Sequence, residues 1–373
     1  MTVKEVAESG SMETESRANL RIIQGVDALD EVAAAWDLLA TSSGSPMQHY
    51  AWARAWAEVT SGPDVELHII VLGQPHPTAI APLVRHSEGP ERLVMLGADE
   101  LFEPMDFLFA SPSALAELVS ALLQLRLPVF LKRVPADSLV VAAMKSSYRG
   151  QGLVVRRPSP GCPWIPLDEG WIQPEQRLSA GRRSDIRRAR RIAERMGPVT
   201  CEVLCPTAAD LEGQLEEALR VEAAGWKGRM GTSLLNDALR GRFYRRYAAA
   251  ACQQGILRVC FLRIGERVAA MQLAVEGGGR FWLLKIGYDE KFARCSPGTL
   301  LALETIRYAA SKGLNSYEFL GTAEAWTKMW TPHIRRCVSV WAYPRKVQGM
   351  AALTADVAQI AWRRLSRTVQ GRK

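Results

Sequence analysis

The sequence predicts an α/β (α+β) fold in which one order of elements occurs twice, each copy a mixed central sheet flanked by helices. Two observations carry this. Short runs that alternate apolar and polar residues are separated by glycine turns and by segments whose apolar residues recur at helical spacing. The tripeptide that opens the best-defined helix of the second half, Ser296-Pro297-Gly298, also has a counterpart at the matching place in the first half, Ser111-Pro112-Ser113. With 373 residues, 48% of them hydrophobic, the chain can fill two cores.

Met1 to Asn19 is polar and partly acidic with no apolar run, which argues against a signal or transit peptide and predicts disorder over 1–19. The first domain, 20–157, reads as a strand (Leu20 to Gln24), two helices (Asp27 to Ala40, His49 to Thr60) and a meander (Val65 to Leu72, Thr78 to Arg85, Arg92 to Leu96). A helix (Ala114 to Leu125), a strand (Pro128 to Arg133), a helix (Asp137 to Gly150) and a strand (Leu153 to Arg156) complete it. The approach to Ser111 carries Asp99, Glu100, Glu103 and Asp106, whose charges would repel a diphosphate, and Ser113 stands where the second half has glycine. No phosphate site is expected there. Asp106 or Glu103 is instead available to a cationic or hydroxyl-rich acceptor, with solvated loop acids as the alternative.

A Pro/Gly-rich linker, 158–177, precedes the second domain, 178–343. Gly181 to Gly197 reads as a helix with Ile186, Ala189, Ala193 and Met196 as its buried stripe, while Arg183, Arg187, Arg191 and Arg195 stack at i, i+4. Charges stacked so densely repel, so the row is expected to pair with phosphates through forked hydrogen bonds, a solvated face being the alternative. A strand (Val199 to Leu204), two helices (Ala208 to Ala224, Asn236 to Gln254) and a meander follow. The meander comprises Ile256 to Ile264, Arg267 to Glu276 and Phe281 to Tyr288, joined by Gly265-Glu266 and Gly277-Gly278-Gly279.

Ser296 as cap and Pro297 at the first position then start a helix that runs to Lys312, buried at Leu300, Leu303, Ile306 and Ala310 and stopped by Gly313. Free N–H groups and the helix dipole converge at this start, and Gly298 leaves the backbone open to a diphosphate. A well-capped helix start with no ligand is the alternative. A strand (Asn315 to Leu320), a helix (Ala323 to Trp330) and a last strand (Val338 to Tyr343) close the domain. Residues 344–373 read as a basic amphipathic helix, apolar at Met350, Leu353, Val357, Ile360 and Leu365 and basic at Arg363, Arg364, Arg367, Arg372 and Lys373.

This order resembles the GNAT N-acetyltransferase fold. The residues that carry the match are Arg182 to Arg188, Trp226-Lys227-Gly228-Arg229, Tyr288-Asp289, the Arg-x-x-x-Gly loop Arg294 to Gly298, and Gly321 to Trp330. More narrowly, 178–343 looks like the CelD/BcsL family of acetyltransferase-like proteins linked to cellulose biosynthesis, relatives of the Fem peptidyltransferases. The resemblance covers about half the chain and implies a tandem duplicated GNAT fold. It also implies acetyl-CoA or another acyl-CoA as co-substrate, no metal, and contacts to CoA from Arg294, Ser296, Pro297, Gly298, Thr299 and Leu300. The loop at Trp226 borders the acceptor in such proteins, so Lys227 and Arg229 are expected to hold an anionic acceptor group, with Trp226 as a wall.

Acylation by a thioester needs a neutral nucleophile, a donor to the carbonyl and a proton source for the thiolate. Asp289 and Glu318 are the base candidates, Tyr288 the acid, and Lys285 orients an acidic acceptor or pairs with Glu318. Trp326 and Trp330 line an apolar or sugar-stacking pocket, or belong to the core. CelD-like proteins commonly show a Tyr-Lys pair before the final tryptophan; here Trp326-Thr327 takes its place, which argues against a tyrosine acid in that segment.

Seven cysteines without a C-x-x-C pair and five histidines without ligand spacing argue against zinc and a disulfide framework. Cys295, with no histidine near it in sequence, reads as inert. The net charge of +8 suits acyl-CoA, a nucleotide-sugar or RNA, although no RNA-binding motif accompanies the arginines. No stretch reaches membrane-spanning length, and a cytoplasmic protein is expected. The expected function is transfer of an acyl group from acyl-CoA to an amine or hydroxyl of a small or saccharide acceptor, in polysaccharide biosynthesis. The alternatives are a Fem-like transferase using charged tRNA, and a binding or assembly component that kept the fold and lost the chemistry.

Overall fold

The computed structural model describes residues 20–60 and 65–370; the segment 1–19, expected to be disordered, and the last two basic residues, Arg372 and Lys373, lie outside them. The elements in order are β1 (Leu20–Ile23), α1 (Val26–Asp30), α2 (Ala33–Ala40), α3 (Tyr50–Val59), β2 (Val65–Leu67), β3 (Ile69–Leu72), β4 (Ala79–Ala81), β5 (Leu83–His86), β6 (Arg92–Met95), β7 (Leu108–Phe109), α4 (Pro112–Gln124), β8 (Val129–Pro135), α5 (Leu139–Ser147) and β9 (Gly152–Pro166). Then come α6 (Ala180–Met196), β10 (Val199–Leu204), α7 (Leu211–Ala223), α8 (Trp226–Arg229), α9 (Ala238–Gln253), β11 (Leu257–Ile264), β12 (Arg267–Gly277), β13 (Arg280–Tyr288), α10 (Pro297–Ser311), β14 (Ser316–Glu318), β15 (Ile334–Pro344) and α11 (Val347–Gln370). Among the described residues no helix is long and apolar enough to cross a membrane.

The chain divides into two units, one holding Met47–Ser159 and Cys337–Lys373 with the N-terminal residues to Ser42, the other Pro160–Arg336 with Ser43–Pro46. In the first, β1-β3-β4-β7 form an antiparallel sheet, and β2, β5, β6, β8 and β15 a second one. In that second sheet β6 runs parallel to β8 (Leu93↔Val129) and β15 closes antiparallel on β8 (Val340↔Leu131). In the second unit β10 to β13 form an antiparallel run, β13 is parallel to β14 (Arg280↔Ser316), and β9 closes antiparallel on β14 (Tyr317↔Ile165). The two units therefore share one plan. Each parallel pair requires a crossover, and each crossover contains the helix that a Ser-Pro dipeptide opens, α4 or α10.

Three local expectations are corrected. The short strand and the first half of the Pro/Gly linker are one 15-residue strand, β9, and the rest of the linker holds two 3-10 turns, Glu169–Ile172 and Pro174–Arg177. Proline lacks only the donor, and Pro163 O still accepts from Phe319 N at 3.0 Å, so prolines did not end the strand. Ala323 to Trp330 is not a helix but a series of turns, because Thr327 Oγ1 accepts from Glu324 N and donates to Glu324 O, giving that backbone a local alternative. Met196 is half-exposed at the end of α6 rather than part of its buried stripe.

The second unit's core joins Leu300, Leu303 and Ile306 of α10 with Ile186, Ala189 and Ala193 of α6 against Cys260, Leu262, Ala270 and Phe281 of the sheet. Each large aliphatic side chain buried here is worth roughly 1.5–3 kcal/mol. Helix α7 packs on β12 and β13.

Candidate functional site

The parallel ladder between β13 and β14 covers only Arg280 to Trp282. Beyond it, Leu320 and Gly321 take left-handed backbone angles (φ 55° and 51°) that turn the chain out of the sheet, so the edge of β13 from Leu283 to Tyr288 has no ladder with β14. A bulge deepens this divergence: Leu273 faces Lys285 but Ala274 faces Leu283, which leaves Leu284 as the extra residue. At Gly287 the missing side chain admits α7, since a Cβ there would lie 2.6 Å from Glu222 Cα.

From β13 the chain passes through a 3-10 turn, Glu290–Cys295, started by Asp289 accepting from Lys291 N at 2.9 Å. Cys295 is buried, its thiol donating to Phe292 O, and burial pushes its pKa up, away from the thiolate form. Ser296 does not cap α10 with its side chain as expected. Its backbone is left-handed (φ 46°), and its carbonyl accepts from Thr299 N at 3.0 Å and Leu300 N at 3.2 Å. Gly298 faces open space: a Cβ built there meets only Tyr288 Cδ1, at 3.9 Å. Its N–H has no acceptor among the described residues.

This helix start opens on a cleft of about 220 Å³ lined by Arg182, Asp185, Arg188 and Ile192 of α6, by Arg294 and Ser296 of the turn, by Thr299 of α10, and by Met329. Three guanidinium groups face one carboxylate. Asp185 lies 4.0 Å from Arg182 and 3.6 Å from Arg188, and all three are more than half exposed, so these pairs hold the arginines weakly. The cleft is cationic and edged by an open helix N-terminus, which suits a diphosphate.

The arginine row expected to bind anions, Arg183, Arg187, Arg191 and Arg195, does not line this cleft. Arg182, Asp185, Ala189 and Ile192 follow helical spacing along the cleft, whereas Arg187, Arg191 and Arg195 are exposed away from it and Arg183 donates to Leu178 O at 2.7 Å. Pro297 and Leu300 are buried in the core, leaving Ser296, Thr299, Arg294 and the Gly298 backbone at the opening.

Of the proposed acid–base residues, Tyr288 lies against the α10 start, its Cδ1 3.9 Å from a Cβ built at Gly298. Asp289 is partnered by Lys291 N and by Arg267 at 3.1 Å. Glu318 is buried, with Arg335 donating to Oε2 at 2.8 Å and Oε1 at 2.6 Å and Ser316 Oγ donating to Oε1 at 2.7 Å. Lys285 does not pair with Glu318; its ammonium sits 4.5 Å over the Tyr244 ring. Lys227, expected to face an acceptor, is an internal clamp. Its Nζ donates to buried Glu222 at 3.0 Å and to Ile286 O at 2.8 Å, and burial depresses its pKa. Arg229 pairs with Glu290, Trp226 is half-exposed, and Trp326 packs edge-on against Phe319 at 5.5 Å. Glu103 is buried and Asp106 partly so, both in the first unit, and neither is a solvated loop acid. Burial pushes the Asp106 carboxyl up to about 7 although Phe107 N donates to it at 2.9 Å.

Sequence reasoning missed Arg335 and Glu222 as partners and Arg182 and Arg188 as the cleft arginines. For Arg182 a signal existed, since it lies one turn before buried Ile186, at i−4 on the same helix face.

Residues 180–328 match the family model of the acetyltransferase (GNAT) domain. The second unit is a GNAT domain by fold, and the first unit repeats its plan. Solved structures similar to it include FemX (TM-score 0.56, 12% identity, 90% of this chain and 99% of that one). The C-terminal domain of a putative lysylphosphatidylglycerol synthetase from Agrobacterium fabrum is similar at TM-score 0.55 and 11% identity, covering 88% of this chain and 96% of that one. L-PGS from Bacillus licheniformis follows at 0.53 and 14%, covering 86% and 95%. At these identities the likeness is one of fold. No curated protein matches by sequence. No group of His, Cys, Asp and Glu among the described residues is placed to hold a metal.

Proposed function

We propose that the second unit transfers an acyl group from acyl-CoA to an amine or hydroxyl of a small or saccharide acceptor. The observation that carries this reading is the cationic cleft at the open N-terminus of α10, beside a strand edge without a ladder partner. Arg182, Arg188 and Arg294 take the diphosphate charge, and Ser296, Thr299 and the Gly298 N–H supply hydrogen bonds. Backbone N–H groups of the β13 edge polarise the thioester carbonyl. The acceptor attacks that carbon, the C–S bond breaks, Tyr288 donates its proton to the departing thiolate, and the proton given up by the acceptor's N–H or O–H restores the phenol. Glu318 positions Arg335 rather than acting as a base, since both of its oxygens are already hydrogen-bonded.

The first unit takes no acyl-CoA in this reading. Its counterpart hydroxyl, Ser111, accepts from Ala114 N at 3.2 Å and lies 2.8 Å from Ser113 Oγ, so that helix start is already occupied. Calorimetry with acetyl-CoA is expected to give one site per chain, and Arg182→Ala/Arg188→Ala to weaken it about tenfold to a hundredfold, with Arg187→Ala/Arg191→Ala unchanged. Equal loss in both double variants would sink the assignment of the cleft.

A second reading, transfer of an aminoacyl group from a charged tRNA, draws on the exposed Arg187, Arg191 and Arg195 and on the likeness to FemX and to a lysylphosphatidylglycerol synthetase domain. Binding of tRNA with no binding of acetyl-CoA in the same titration would favour it.

A further inference from the structure

Among its described side chains, the terminal helix α11 buries little apolar surface. Gly349 and Ala352 are buried, and Asp356 is held by Arg92 at 2.9 and 3.1 Å and by the Tyr343 hydroxyl at 2.6 Å, which fixes the inner side. Outward, Val347 (86% exposed), Met350 (51%) and Val357 (57%) form a row at helical spacing, with Trp362 (73%) beyond it. Thr354 falls in that row but turns its hydroxyl back onto Met350 O at 2.9 Å. A contiguous row is not the scattered exposure normal for a protein surface.

Charge says what covers it. From Arg345 to the chain end the sequence holds five arginines and two lysines against one acid, Asp356, and Arg92 already neutralises that acid. At the helix start lies a cleft of about 510 Å³, in which Arg126 and Lys346 are the charged lining residues and Ser120, Gln124, Ser147 and Gln151 the polar ones, with no carboxylate. A second copy of the helix would bring like charges together. A bilayer rich in anionic lipid offers an apolar layer to the row and phosphates to the cations.

We propose that α11 lies on the surface of an anionic lipid bilayer, with Arg126 and Lys346 taking lipid phosphates at its start. The full chain should sediment with phosphatidylglycerol–phosphatidylcholine vesicles at low salt and bind pure phosphatidylcholine vesicles at least about tenfold more weakly. Met350→Glu/Val357→Glu should lower binding to the anionic vesicles about tenfold at unchanged Tm, since both side chains are exposed. Arg126→Gln/Lys346→Gln should lower it several-fold without affecting thermal stability. Equal binding to both vesicle types, displacement by millimolar glycerol phosphate, or full binding by the Met350→Glu/Val357→Glu variant would overturn the proposal. So would a wild-type dimer that this variant converts to monomer.

Discussion

Replacing Glu318 by glutamine separates a structural role for this carboxylate from a catalytic one. In the native protein its two oxygens receive three hydrogen bonds, two of them from Arg335. Glutamine keeps the shape, but its amide nitrogen meets a guanidinium donor, and one charge-assisted pair becomes donor against donor. Breaking a fully buried pair costs about 3–5 kcal/mol. Arg335 is 37% exposed and water can reach it, so the expected cost falls to about 2–3 kcal/mol. For a unit of this size that is a drop in Tm of about 4–12 °C. If Glu318 were the general base instead, turnover would fall about 10²- to 10⁴-fold while the isosteric change left Tm nearly unaltered. Differential scanning fluorimetry and steady-state kinetics on one preparation decide between them. A Tm within about 1 °C of the parent together with a hundredfold loss of turnover would refute the structural account.

Further outcomes follow from packing and charge. Gly287→Ala places its Cβ 2.6 Å from Glu222 Cα, a backbone atom that must move, so chemical denaturation should show a loss of about 1–3 kcal/mol. In α7 itself, Gly213→Ala meets nothing within 4 Å and should gain up to about 1 kcal/mol; a loss there would contradict an open helical position. Asp106, pushed from 3.8 to about 7 by burial, keeps in the folded state a proton that the unfolded chain releases. Stability is therefore lost as pH rises through that window, and the full penalty, no more than about 4 kcal/mol, applies above it. Asp106→Asn should raise Tm at pH 8 and leave it unchanged near pH 4, and an equal effect at both would exclude this titration.

The order of elements was legible because alternation marks β11 to β13 and a Ser-Pro-Gly start marks α10. Chemistry at single residues was less so. The cap expected of Ser296 assumes an extended backbone there, but the preceding 3-10 turn delivers it left-handed. The row chosen on α6 was the one densest in arginine, whereas the groups that face the cleft are set by which side the buried Ile186 and Ala189 turn inward. Lys227 and Glu318 looked like site residues because a charge in a loop or at a strand end reads as exposed. Glu222 lies only five residues before Lys227, but Ile286 for Lys227 and Arg335 for Glu318 are brought near by tertiary packing that local sequence does not encode. The proline-rich half of β9 hid for the related reason that its partner strand lies some 150 residues away.

Gly298 bears most directly on the central claim. Glycine is not required there by the backbone, and the space over it is open to the nearest side-chain atom at 3.9 Å, so Gly298→Val should fold with a Tm close to the parent. A valine would fill the space in front of the free N–H and crowd a diphosphate away from it. Isothermal titration of the folded variant with acetyl-CoA is expected to show affinity reduced at least about tenfold, the loss of one charge-assisted hydrogen bond or more. A variant that folds and binds acetyl-CoA as tightly as the parent would contradict the assignment of the α10 turn as the acyl-donor site.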